Sequence, residues 1–296
     1  MHRVLIFANS FFLLVAILFI QSCSPLYDLR TKSIQKEGIT EENTAKGKQV
    51  LDKAWKKHGG DKFEQHTTYS FKANDIWKDN KFGKLGKIWP DFETNMEFKF
   101  QVDALNGKVE FFDGQKKGVA VGFYDSKYYE LDSVSLSTPD YSVEPHIRFA
   151  FGLSHIQYFF DILDRLRHAS IISYAGEAEF NGTRYDKVFC TMGNNPEPNL
   201  ENEQYMVWIN QATGFMDYIE YSVRDPYVKP IGYKRFGGNL RYKDYREIDG
   251  VWIAHSQAVY PIKIREDEEK YIHRLTISEF QFDNFDAEEL HPKGLK

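Results

Sequence analysis

Along most of this 296-residue chain apolar and polar residues alternate with a period of two. Tyr69, Phe71, Ala73 and Trp77 alternate with Ser70, Lys72 and Asn74, and Met96, Phe98, Phe100 and Val102 with Glu97, Lys99 and Gln101. That spacing predicts strands with one buried and one wet face. Further strands are predicted between 108 and 132 and between 170 and 283, with turns at Asp113-Gly114, Asn181-Gly182, Thr213-Gly214 and Asp249-Gly250. Strands joined by such short turns are antiparallel. One stretch changes period: Ile156, Phe159, Phe160, Leu163 and Leu166 recur at helical spacing, with Asp161, Asp164, Arg165 and Arg167 off that stripe. Ser154 is placed to cap this helix, after the breaks at Pro145 and Gly152. An earlier helix is predicted from about Ala45 to Lys57, where Val50, Leu51, Ala54 and Trp55 share a face and His58-Gly59-Gly60 ends it. The fold class is mainly β (α+β): a curved antiparallel sheet or incomplete β-barrel of about ten strands, with an N-terminal helix and a central lid-like helix. No second boundary is visible, so 44–296 reads as one domain.

The chain opens differently. Arg3 precedes an apolar run from Val4 to Ile20, followed by Gln21-Ser22-Cys23. A basic start, an apolar stretch and a small residue before the break make a secretory signal peptide. A cysteine at the break resembles the bacterial lipoprotein signal, which implies removal of residues 1–22 and lipidation of Cys23. An ordinary cleaved signal with a chance cysteine and a short membrane span are the alternatives. Residues 23–43 lack apolar periodicity and read as a tether. Ser24 rather than Asp follows the cysteine, which by resemblance to enterobacterial lipoproteins implies an outer-membrane anchor facing the periplasm. With Cys23 acylated, Cys190 has no internal disulfide partner.

Charge narrows the partners. With 38 Lys+Arg against 43 Asp+Glu and no basic run, nucleic acid is not expected. The aromatic share is high, 16% with 24 Phe and 18 Tyr, which suits a strand-rich core and also a large apolar cavity. Catalytic signatures are missing: the sequence has no His-Glu-x-x-His, Gly-x-Ser-x-Gly, phosphate loop or Cys-x-x-Cys. The nine histidines are scattered, and only His255 and His273 are candidates to face each other on neighbouring strands. The acidic run Glu266–Glu269 reads as a solvated loop. No metal or cofactor is expected.

The C-terminal half resembles LolA/LolB-like proteins and related bacterial lipoproteins. The resemblance rests on Val207-Trp208-Ile209-Asn210 with Ala212-Thr213-Gly214, on Tyr242 through Ile253, and on the helix end Ala54-Trp55…His58-Gly59-Gly60. Ala254 stands where such strands commonly carry proline. It implies a half-barrel with a helical lid over an apolar cavity that holds acyl chains.

The expected function is therefore non-covalent binding or carriage of a lipid or other hydrophobic molecule, not catalysis, by a lipid-anchored envelope protein. Ile156, Phe159, Phe160, Leu163 and Leu166 are the expected lid or cavity wall, with Gly152 as a flexible base. Membrane delivery predicts an exposed apolar loop, either 135–145 with Leu136 and Tyr141 or 224–231 with Tyr227 and Ile231. A scaffold with a filled core that docks envelope proteins is the alternative, and a hydrolase a second one.

Overall fold

The computed structural model describes residues 26–125, 127–131, 144–224, 237–261 and 268–291. The signal segment, Cys23 and nearly all of the two expected membrane loops lie outside these residues.

Twelve strands form one open antiparallel sheet, two more than the approximate expectation. They are β1 (Thr68–Trp77), β2 (Glu93–Gln101), β3 (Gly107–Phe111), β4 (Ala120–Tyr124), β5 (Lys127–Leu131), β6 (Ile171–Phe180), β7 (Thr183–Thr191), β8 (Gln204–Asn210), β9 (Met216–Ser222), β10 (Gly237–Ile248), β11 (Val251–Pro261) and β12 (His273–Phe282). The spatial order is β5-β4-β3-β2-β1-β12-β11-β10-β9-β8-β7-β6. The chain thus starts mid-sheet, runs to one edge, crosses to the other and returns. The last strand pairs with the first, Tyr69 opposite Phe282 and Trp77 opposite His273. Asn181-Gly182 and Asp249-Gly250 both have positive φ at each residue, as a two-residue hairpin that follows strand twist requires.

Six helices accompany the sheet among the described residues: α1 (Lys32–Glu37), α2 (Glu41–Lys57), α3 (Gly60–Phe63), α4 (Lys81–Gly86), α5 (Glu144–Phe160) and α6 (Ile162–Arg167). The segment read as a tether is packed in its described part. Thr31 and Thr40 cap α1 and α2, and Leu29 and Ile34 bury against Phe189 and Met206 on the outer face of the sheet. One apolar residue per turn is enough to dock a single-turn helix, and it leaves no periodicity to read. Helix α2 then lies across the edge strand β6; a Cβ at Gly47 would stand 2.9 Å from the Tyr174 backbone nitrogen.

The central helix corrects three expectations. It begins at Glu144, so Ser154 is not its cap but an internal residue whose hydroxyl donates to the Phe151 carbonyl at 3.1 Å. It breaks at Asp161, where Arg165 donates to both carboxylate oxygens at 2.8 and 2.7 Å, and resumes as α6. Gly152 is a close-packing position, since a Cβ there would meet Ile88 Cγ2 at 2.4 Å.

Two clusters fill the inner face. In one, Tyr69, Phe71, Phe98 and Phe100 pack against Phe149 and Leu153 of α5. In the other, Leu51, Ala54 and Trp55 of α2 join Leu163 and Leu166 of α6 over Val188 and Val207. Cys190 is fully buried in the second cluster, and burial pushes its thiol far up.

Candidate functional site: a cavity under the crossover helix

Helix α5 is pinned at two places. The Gln157 amide donates to the Gln101 carbonyl at 2.7 Å and the Ala104 carbonyl at 2.5 Å. The Tyr242 hydroxyl donates to the Phe159 carbonyl at 2.9 Å, satisfying an acceptor that the helix end leaves open. Beside these anchors, along the stretch of α5 from Phe151 to Phe159, lies a cavity of about 520 Å³. Its helix wall is His155, Ile156, Tyr158 and Phe159; Leu240, Val259 and Leu275 face them from β10, β11 and β12. Trp77, at the end of β1, and the strap that follows close another side.

The five residues expected at the lid divide. Ile156 and Phe159 line this cavity. Phe160 points into the aromatic core, stacked on Tyr69, Phe71 and Phe280 with ring centroids 5.2, 5.4 and 5.6 Å away. Phe160 and Leu163 also border a separate pocket of about 80 Å³. Leu166 is wholly buried core.

The cavity's rim is apolar and exposed. Phe82 and Leu85 on α4 and Leu105 in the β2–β3 turn are 52%, 49% and 38% exposed. Lys78, Lys81, Lys84 and Lys87 alternate with them along the strap, against one acid, Asp79, which pairs with Lys84 at 2.8 Å. Helix α4 was missed in the sequence because two glycines interrupt six residues. Its signal is Asn80, whose side-chain oxygen accepts from the Phe82 and Gly83 amides at 3.0 and 2.9 Å.

Polar groups sit at defined points on the walls. Burial pushes the His155 imidazole down to about 4. The Tyr158 and Tyr205 hydroxyls lie 3.1 Å apart, and Tyr205 donates to Glu203 at 3.4 Å. On the opposite wall stands His273, whose Nε2 donates at 2.8 Å to Asp75 behind it; Asp75 is 1% exposed and also accepts from Trp89 Nε1 at 3.0 Å. Trp77 stacks on the His273 ring at 4.2 Å.

His255 and His273 are not brought together. The register sets His273 opposite Val259, four residues along β11 from His255, whose Nδ1 donates to the Ile253 carbonyl at 3.0 Å. His273 pairs instead with Asp75, a residue with no motif around it. His58 is structural: its Nδ1 donates to Ala54 at 2.7 Å, its Nε2 accepts from the Met216 amide, and burial holds it at about 4. Among the described residues no group of three or more His, Cys, Asp or Glu side chains is arranged to hold a metal ion.

Known structures share this fold. A protein described as an outer membrane lipoprotein-sorting domain, from Vibrio parahaemolyticus, superposes with a TM-score of 0.50 at 14% identity, covering 84% of this chain and 97% of that one. A DUF1329 family protein from Desulfovibrio piger gives the same score and identity, with 84% and 99% covered.

The chain shares the fold of these lipoprotein-sorting and DUF1329 domains.

This is the fold that the Thr-Gly and Asp-Gly turns implied. A LolA superfamily protein from Nitrosomonas europaea aligns at a TM-score of 0.45 and 12% identity, over 82% of this chain and 96% of that one. No protein-family model and no curated protein matches the sequence. At these identities the likeness shows the fold alone, and the site has to be read from its own residues.

Proposed function

We propose that this protein binds and carries an acyl lipid or similar hydrophobic molecule, non-covalently, while held at the cell-envelope membrane through Cys23. The observation that carries the reading is the cavity of about 520 Å³ under α5. Small-molecule sites span about 300–1,000 Å³ and are mostly apolar, with few polar groups. Ile156, Phe159, Leu240 and Leu275 offer shape and apolar surface of that kind. The pinning of α5 through Gln157 and Tyr242 favours a standing wall over a hinged lid.

Exchange with a membrane runs through the rim. Phe82, Leu85 and Leu105 offer apolar side chains for the acyl boundary, and the lysines beside Phe82 and Leu85 match anionic head groups. A lipoprotein signal at the start and a body with the fold of a lipoprotein-sorting domain support a site of work in the bacterial envelope, and the reading puts it at the outer membrane, on its periplasmic side. No helix among the described residues is long and apolar enough to cross a membrane.

The test is lipid extraction from the full-length protein purified out of its own membrane, compared between wild type and Phe159→Asp. Co-purifying acyl lipid that falls away in the variant is the expected result. Equal lipid in both, or none in wild type, overturns the reading.

A further inference from the structure

We propose that His155 is a polar-head contact within the cavity, and that the bound molecule is an acyl amphiphile with an uncharged head, such as a glycerol ester. This rests on the carrier reading above. The ring lies between Phe151, 4.0 Å away, and Phe159, 5.2 Å away, and it lines the cavity. No described group hydrogen-bonds either ring nitrogen. The ring is only partly buried and borders the cavity, so its nitrogens are open to a partner in that space, where an apolar surround makes such a bond count for more. A ligand atom in the cavity supplies what the chain does not.

The chemistry of that atom follows from charge. Desolvation keeps the imidazole neutral near pH 7, so it presents one N–H donor and one acceptor nitrogen, and no charge to meet an anion. One turn along α5, Tyr158 adds a hydroxyl to the same wall. Its partner Tyr205 donates to Glu203, whose carboxylate also borders the cavity. Lys81 is the only lysine or arginine among the described lining residues and belongs to the strap; from the helix wall a carboxylate or phosphate head meets the neutral ring and, past Tyr158 and Tyr205, the Glu203 acid. A hydroxyl or ester finds a donor, an acceptor and a phenol.

The test uses full-length delipidated protein loaded with N-phenyl-1-naphthylamine, an apolar fluorescent probe, and competed near neutral pH with 1-monooleoylglycerol or with oleate. Wild type should release the probe to the glyceride at about tenfold lower concentration than to oleate, the scale of one buried hydrogen-bonding group. His155→Phe, of similar bulk, should erase that preference by weakening glyceride binding about tenfold, and His155→Gln, which keeps a donor and an acceptor, should restore most of it. Thermal transitions establish that each variant is folded. A His155→Phe protein that still prefers the glyceride overturns the assignment, as does a wild type that prefers oleate. Folded wild type that takes up neither probe nor lipid overturns the carrier reading itself.

Discussion

Two adjacent phenylalanines on one helix should fail in different ways. Phe159 faces the cavity, beside Tyr221 and His155 at 5.2 Å each. Phe160 is stacked between Tyr69, Phe71 and Phe280, nearly parallel to the last two at 14° and 7°. Truncating a core phenylalanine to alanine costs about 3–5 kcal/mol, because the transfer term and the new void add. Phe160 is only partly buried and borders the small pocket, but Phe160→Ala should still sit in that range, since it also breaks three aromatic pairs worth about 0.5–1.5 kcal/mol each, partly counted already. Phe159→Ala only extends an existing cavity, so the surrounding atoms lose fewer contacts, and about 2 kcal/mol is expected. At about 2–4 °C per kcal/mol for a domain of this size, the melting temperatures should fall by roughly 6–20 °C and 4–8 °C respectively. Scanning calorimetry reads the first quantity and probe uptake well below both transitions reads the second. Phe160→Ala should bind the probe as wild type does, while Phe159→Ala should show altered affinity. Equal losses of stability, or uptake lost only in Phe160→Ala, would refute this division of the helix.

Three further outcomes follow from the same geometry. Asp75→Ala strands the His273 and Trp89 donors in the interior and should cost about 2–4 kcal/mol by urea denaturation; a near-neutral change would mean the pair is not buried as described. Burial pushes Glu220 up to about 7, above its unfolded value near 4.5, so the folded state keeps a proton that the unfolded state has lost. Its contribution to stability therefore falls as pH rises from about 4.5 to about 7. His58 and His155, held at about 4 against an unfolded value near 6.5, act oppositely: stability is lost as pH falls from about 6.5 to about 4. Glu220→Gln should be more stable than wild type above about pH 7 and lose the advantage below about pH 4.5, as read from denaturation midpoints across pH. Phe82→Ser with Leu85→Ser should change stability by no more than about 0.5 kcal/mol, both side chains being exposed, yet slow lipid transfer to anionic vesicles. Unchanged transfer would remove the rim from the account.

Most of the sheet was legible because a strand with one buried face writes its period into the sequence. Tyr69, Phe71 and Ala73 show it, as do the hairpin pairs Asn181-Gly182 and Asp249-Gly250 with their positive φ. Which strands neighbour each other was not, because pairing of β1 with β12 joins residues about 200 positions apart with no local turn to announce it. The same limit defeated the His255–His273 pairing: alternation puts both on facing strands, but only the register shows them four residues out of step. The stripe of α5 and α6 announced a buried face without saying against what. Phe159 and Phe160 are indistinguishable by spacing, and only the break at Asp161 and the anchors at Gln157 and Tyr242 decide which one meets a cavity. Exposed apolar residues were expected in longer loops, whereas Phe82 and Leu85 ride on a single turn capped by Asn80.

The central claim is that the space under α5 is occupied by lipid in the cell. Native mass spectrometry of the full-length protein, released gently from its own membranes, measures that directly. The account predicts a mass excess beyond the covalent anchor that disperses on mild activation and is identified as acyl lipid. A mass equal to the anchored chain alone, with no adduct after incubation with membrane lipids, would contradict it.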